Sequence, residues 1–226
     1  MQSVADHRVA TALELAEIRP ERQGQRRLSR LTPRERKLYR WILQRFATAE
    51  PPSSGATRAT ALELGLDPDE SLAALARDDV VHTDGDGRPV VAYPFSARDR
   101  GHRVLIDGVH EVEAMCAIDA LGIAPMLGLP IEIRSRDPIS GGEIHVQLHP
   151  EGAARWQPEG AVVLAGSACR EGPSVGGCCD VLNFFETAEN AQHYLREHPE
   201  INGAPITIPE AAEAGRVVFG DVLKED

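Results

Sequence analysis

The chain has 226 residues, 42% of them hydrophobic and 26% charged, with a formal net charge of -11 at pH 7. That length and balance exclude disorder over most of the chain and allow a real core without metal or disulfide staples. No apolar run approaches the roughly 20 residues of a membrane span, and the net acidity argues against a general nucleic-acid binder. The N-terminal stretch MQSVADHRVATALELAEIRPER carries acidic residues and lacks the apolar core of a secretory signal, so a cytoplasmic location is expected.

Charge is uneven along the chain. Residues 1–50 hold eleven basic and six acidic side chains, most of the excess lying in RPERQGQRRLSRLTPRERKLYR. Residues 1–30 contain a short helical run, VADHRVATALELAEI, and otherwise read as a basic, mobile, solvated arm, with contact to DNA or an acidic partner as the alternative. A helix follows, with Thr32 as N-cap, Pro33 at its first position and Glu35 completing a capping box. Leu38, Trp41, Ile42, Phe46 and Ala49 recur on one face at helical spacing. PPSSG ends it, and two shorter helices follow. TRATALELGL is one. The other opens with Asp67 as N-cap, Pro68 and Glu70, and buries Leu72 and Leu75. In VVHTDGDGRPVVAYPFS, two β-rich runs flank a hairpin turn. Three helices and a hairpin over residues 31–97 form a winged-helix-like pattern, which by itself assigns no function.

Residues 98–226 read as an α+β catalytic domain with a mainly antiparallel sheet. HRVLIDG suggests a strand and turn. The next segment, VHEVEAMCAIDALGIAPML, is read as one helix, with Val112, Met115, Cys116, Ile118, Ala120 and Leu121 leaving it apolar nearly all round and therefore central. PIEIRSR and EIHVQLHP are strands joined by DPISGG, and GAVVLAG is a third strand. A Gly-rich loop, SACREGPSVGG, leads into CCDVLNFFE, read as a further strand. Thr187 caps a helix containing Ala191, Tyr194 and Leu195, and Pro209 opens a last helix reaching about Phe219.

The chemistry centres on the four cysteines, Cys116, Cys169, Cys178 and Cys179. No CxxC pair exists, so the common zinc and thioredoxin-type spacings are absent, and a site built from Cys169, Cys178, Cys179 and a histidine matches no common pattern. Cys116 and Asp119, three residues apart, share one helix face. Cys116 reads either as a buried structural thiol or, near a helix N-terminus, as one favoured in its thiolate form. A carboxylate on so apolar a helix is costly unless paired or protonated, which makes Asp119 a functional candidate. Successive strand residues face opposite sides, so at most one of Cys178 and Cys179 points at Cys116.

Together, MCAIDALGIAPMLG and GGCCDVLNFFETAENA resemble the organomercurial (alkylmercury) lyases of bacterial mercury resistance, and the resemblance extends over roughly residues 32–226. It implies a site of Cys116, Asp119 and Cys178, the first member of the late pair. It also implies cleavage of the carbon–mercury bond to a hydrocarbon and Hg(II). The chain departs from that family in three respects: RSRDPISGG lacks the family's additional cysteine, Cys169 is extra, and the arm before residue 30 is longer than the resemblance implies.

The chemistry agrees with this reading. Mercury is soft and prefers thiolate. One thiolate captures R–Hg⁺ and a second makes the attached carbon more basic. A proton donor then completes the cleavage. The implied assignment has Cys116 capturing the organomercurial, Asp119 relaying a proton from Cys178 to the leaving carbon, and Hg(II) held between Cys116 and Cys178. No cofactor is expected. The expected partners are organomercury compounds, small thiols that sustain turnover and a mercuric reductase that takes Hg(II), with no membrane and no nucleic acid. The competing readings are a winged-helix regulator responsive to metal or thiol, and a relative acting on another soft-metal or thiol substrate.

Overall fold

Local capping signals set the helices of the N-terminal part. In the computed structural model, which describes residues 7, 9–11, 14, 25–152, 154–168 and 178–224 (Cys178 by its backbone alone), helix α1 spans Gln25–Arg30 and α2 spans Pro33–Ala47. Most of the expected arm over residues 1–30 lies outside the described residues; within α1, Leu28 is buried. The Thr32 hydroxyl accepts the Glu35 N–H at 3.2 Å, and the Glu35 carboxylate accepts the Thr32 N–H at 2.6 Å. This reciprocal box fixes the start of α2. Leu38, Tyr39, Ile42, Leu43 and Phe46 are buried along it. Trp41 is half-buried, and Ala49, expected on the same face, lies beyond the helix end at φ 61°.

Helices α3 (Ser54–Glu63) and α4 (Pro68–Arg77) follow. The Asp67 carboxylate caps α4 by accepting the Asp69 and Glu70 N–H groups, each at 2.9 Å. Strands β1 (Val81–Thr83) and β2 (Pro89–Ala92) pair antiparallel across the expected TDGDG turn.

The helix expected over residues 109–127 divides. His110–Ala114 is strand β5, paired antiparallel with β4 (His102–Ile106). Asp107 and Gly108 take positive φ, 48° and 68°, in the turn between them. That is the hairpin geometry whose twist matches flanking strands. HEVEA alternates with period two, burying Val112 and Ala114. Helix α5 begins only at Ala117 and ends at Leu127, with Gly128 in the left-handed conformation at its C-cap.

The sheet containing this hairpin has eight strands in the order β1-β2-β3-β5-β4-β6-β7-β8, all neighbours antiparallel. Its remaining members are β3 (Phe95–Ser96), β6 (Ile131–Arg136), β7 (Glu143–Leu148) and β8 (Ala154–Gln157). The expected boundary between residues 97 and 98 falls between β3 and β4, inside this sheet. A second sheet has β9 (Val162–Ala168) between β10 (Phe184–Phe185) and β11 (Ile201–Thr207). Helices α6 (Ala188–Glu197) and α7 (Ile208–Phe219) complete an α+β architecture.

Nearly every position of α5 is buried, as its composition predicts. It packs closely on α7 at two glycines: a Cβ at Gly215 would lie 2.8 Å from the Gly122 backbone nitrogen and 2.9 Å from the Ile118 carbonyl oxygen. Among the described residues, no helix is long and apolar enough to cross a membrane.

Candidate functional site

Strand β5 delivers the chain to Cys116, the N-cap of α5, in extended conformation (φ -158°, ψ 178°). An N-cap side chain turns back over the first helical turn to accept a free backbone N–H. Here the thiol sulfur does so, accepting from the Asp119 N–H at 3.4 Å. The Cys116 S–H donates to Asp119 Oδ2 at 3.1 Å. The cap therefore holds a thiol and a carboxyl together on one helical turn.

The second cysteine segment approaches from the side. Cys178–Asp180 form a 3-10 turn rather than the expected strand, and strand β10 starts only at Phe184. The alternation argument for the cysteine pair therefore does not apply. The Ala117 N–H donates to the Leu182 carbonyl at 2.8 Å, which ties the start of α5 to the segment just after this turn. The Cys179 thiol lies 3.9 Å from Asp119 Oδ2. Cys116, Asp119 and Cys179 are all buried and offer ligand atoms within 4.8 Å of one another. Two soft sulfurs and one carboxylate oxygen form a donor set suited to a thiophilic metal.

Of the sequence-predicted site, Cys116 and Asp119 are brought together as expected. Cys178 sits in the 3-10 turn, with its side chain outside the described residues, as is all of Cys169. Cys179 joins the group instead of remaining a bystander.

The expectation that the helix terminus favours a Cys116 thiolate does not hold at rest. Burial pushes the thiol up to about 11, and the negative charge of Asp119 adds to this, while the contact with Cys179 pulls the other way. Cys116 is 1% exposed, and loss of hydration outweighs the partial charge of one helix end.

Sequence reasoning missed Arg100. Its guanidinium donates to the Asp180 carboxylate, one residue from Cys179. Despite half-burial its pKa is raised, because Asp180 and, more weakly, charge on Cys179 and Cys116 favour the cation. Asn183 also grips the turn, its amide donating to the Asp180 carbonyl at 3.1 Å. Nothing in the local sequence of Arg100 signals this role, which arises when the loop before β4 meets a turn 80 residues away. His102, buried between Ser135 and the Phe184 ring, is held down to about 4, first by burial and then by the nearby Arg100 charge.

A family model described as alkylmercury lyase matches residues 95–220, more than half of the chain and the segment that holds Cys116, Asp119 and the late cysteine pair. The chain belongs to the alkylmercury lyase family. It is 27% identical over 179 residues to an alkylmercury lyase of Staphylococcus epidermidis, covering 79% of this chain and 80% of that one. Against an alkylmercury lyase of Streptomyces lividans the identity is 24% over 189 residues, 84% of this chain and 85% of the other. A Bacillus cereus alkylmercury lyase is 26% identical over 181 residues, 80% of each chain. Among solved structures, the fold is similar to that of the mercury-bound form of MerB2, with a TM-score of 0.73 at 20% identity, over 94% of this chain and 98% of that chain. Membership in the alkylmercury lyases thus agrees with an α+β architecture that runs through both halves of the chain.

Proposed function

We propose that this protein cleaves the carbon–mercury bond of organomercurials by protonolysis, giving a hydrocarbon and Hg(II). The observation that carries the reading is the buried group of Cys116, Asp119 and Cys179 in a chain of the alkylmercury lyase family. In this reading Cys116 captures R–Hg⁺ as its proton leaves with the departing thiol. A second thiol, from the Cys178–Cys179 pair, then transfers its proton to Asp119 as its sulfur binds mercury. With two sulfurs on the metal, the carbon becomes basic enough to take that proton from Asp119. The bond broken is Hg–C and the bond formed is C–H, and no change of oxidation state occurs. The low polarity around Asp119 favours holding and returning a proton over leaving it in solvent. The reading calls for no cofactor. It does call for small thiols, with a mercuric reductase as the expected consumer of Hg(II).

The family motif assigns the second thiol to Cys178, whereas Cys179 is the thiol lying 3.9 Å from Asp119 Oδ2. Residues 31–97 are read as a winged-helix-like unit of α2, α3, α4 and the β1–β2 hairpin, with α2 packed against β2, β3 and β5.

The test is benzene release from phenylmercuric acetate in excess small thiol, measured by headspace gas chromatography. Turnover in the parent and none in Cys116→Ser is expected. Asp119→Ala should still take up mercury while losing about 10²–10⁴-fold in rate. If Asp119→Ala cleaves at the parent rate, the relay is wrong. On the family motif's assignment, Cys178→Ser fails in turnover, while Cys179→Ser, which loses a neighbour of Asp119 but not a mercury ligand, retains part of it. The reverse result would move the second-ligand role to Cys179, and equal loss in both would make the segment structural.

A further inference from the structure

The two cysteine-bearing segments of the thiol site come from distant parts of the chain, and Arg100 joins them. Its main-chain N–H donates to the Glu113 carboxylate at 3.1 Å. Glu113 lies on β5, three residues before Cys116. Its guanidinium donates through Nη2 to the carboxylate of Asp180, the residue after Cys179. The carbonyl of Asp180 is held separately, by the Asn183 amide at 3.1 Å. Asn183 also hydrogen-bonds His102, whose Nδ1 meets Ser135 Oγ at 3.0 Å on the buried face of β4 and β6. Stability alone does not account for Arg100. Its side chain is 29% exposed and that of Asp180 47%, and an ion pair so open to water contributes little. Its buried Nε has no hydrogen-bond partner among the described residues, which is a further cost. What the contact fixes is geometry.

We propose that Arg100 is a positioning residue for the thiol site: its bridge from Glu113 to Asp180 holds the Cys178–Asp180 turn beside Asp119, so that two protein sulfurs can close on one mercury atom. Arg100 acts through the turn and not on the reacting atoms. Cys116, fixed by the cap of α5, takes up mercury with or without the bridge. The second sulfur needs the turn in place. Loss of the bridge therefore leaves capture intact and weakens closure. The grip is one N–H on one carboxylate oxygen, a contact that a lysine ammonium reproduces. Benzene release as a readout rests on the lyase reading, whereas closure of two sulfurs on mercury does not.

The first measurement needs no turnover. Each protein is loaded with one equivalent of mercuric chloride and challenged with 2-mercaptoethanol, and the mercury remaining on the chain is measured after gel filtration. Arg100→Gln is expected to lose Hg(II) about fivefold faster than the parent, with the urea midpoint of the mercury-free protein unchanged. Arg100→Lys should restore most of the retention. Asp180→Asn should match Arg100→Gln, and the double variant should be no worse than either, because all three break the same bridge. The second measurement is a single turnover with phenylmercuric acetate. In Arg100→Gln, phenylmercury uptake should equal that of the parent while benzene release slows about fivefold, and Arg100→Lys should recover the rate. A purely structural role would instead lower uptake and the urea midpoint together. That result, parent-like Hg(II) retention in Arg100→Gln, or an Arg100→Lys protein no better than Arg100→Gln would overturn the proposal. If retention falls as expected but the parent releases no benzene, the role of Arg100 stands and only the lyase reading fails. If the parent releases benzene and Arg100→Gln does so equally fast, the lyase reading stands and the role of Arg100 fails.

Discussion

At the scale of single residues, the resting site stores its protons. Cys116 donates its S–H to Asp119, and its burial favours the neutral thiol. The ordinary value of 9.0 for a cysteine is raised to about 11 in the fold, so the folded chain keeps a proton that the unfolded chain gives up between those pH values. Where the folded state binds more protons, stability falls as pH rises. The contribution from Cys116 is therefore fully present below pH 9.0 and lost as pH climbs through about 11. Urea midpoints across this window should drop in the parent and drop less in Cys116→Ala. Alkylation gives the same information kinetically. The iodoacetamide rate at Cys116, followed by peptide mass spectrometry, should keep rising with pH past the ordinary value of 9.0. A plateau near neutral pH would mean a resting thiolate and would remove the argument that capture requires a proton to leave.

At the scale of elements, the site depends on contacts that hold α5 in place. Its closest neighbour is α7, at Gly122 and Gly215. A methyl group at Gly215 would press on backbone atoms at 2.8–3.0 Å, which cannot swing aside as a side chain can. Gly215→Ala should cost about 1–3 kcal/mol of stability and displace the Cys116 cap, lowering turnover as well as the urea midpoint. Gly122→Ala collides with the Phe219 ring and also meets the Gly215 carbonyl at 3.2 Å, so a rotated ring relieves only part of the clash. Asp137, in the turn between β6 and β7, binds the two sheets together. Its carboxylate accepts the Ile139 N–H at 2.7 Å, the Glu186 N–H at 2.8 Å and the Asn190 amide at 2.7 Å. Burial opposes its charge, but these bonds outweigh burial and lower its pKa. It therefore stabilises the fold above the ordinary carboxylate range and loses that contribution as pH falls through its lowered value. The sequence revealed the caps at Thr32, Asp67 and Thr187, because capping is decided within three residues. It also revealed Cys116 and Asp119, whose pairing is local. It did not reveal β11, whose Gly203 and Pro205 are poor strand formers and which exists through its pairing with β9. The division of residues 109–127 into strand and helix escaped for a related reason: Val112 and Met115 satisfy a helical period, and only pairing of β5 with β4 and β3 selects the strand.

At the scale of the molecule, the N-terminal helices and the thiol site share one continuous structure. Phe46 of α2 stacks on Phe95 of β3 with ring centroids 6.1 Å apart, and the Tyr39 hydroxyl donates to the Tyr93 carbonyl at 2.8 Å. Strand β3 pairs with β5, whose last residue, Ala114, lies two positions before Cys116. A chain of direct contacts thus runs from α2 to the Cys116 cap without crossing solvent. If residues 31–97 and 98–226 unfolded separately, β3 would have to leave β5 and expose the fully buried Phe95 and Ala114. Apolar burial of that kind couples segments into one transition. Trp41 lies on α2, which packs against β2 and β3, and Trp156 lies on β8, at the far edge of the same sheet. Single-tryptophan variants, Trp156→Phe and Trp41→Phe, therefore report on opposite ends. Their urea transitions should coincide with each other and with far-ultraviolet circular dichroism. Phe46→Ala, which removes a buried ring, should cost about 3–5 kcal/mol and shift both reporters by the same amount. It should also lower benzene release at temperatures where the parent is fully folded, although Phe46 touches none of the thiols. Two separated transitions, with Phe46→Ala moving only the Trp41 signal, would instead show two independent domains and free the thiol site from any dependence on the N-terminal helices.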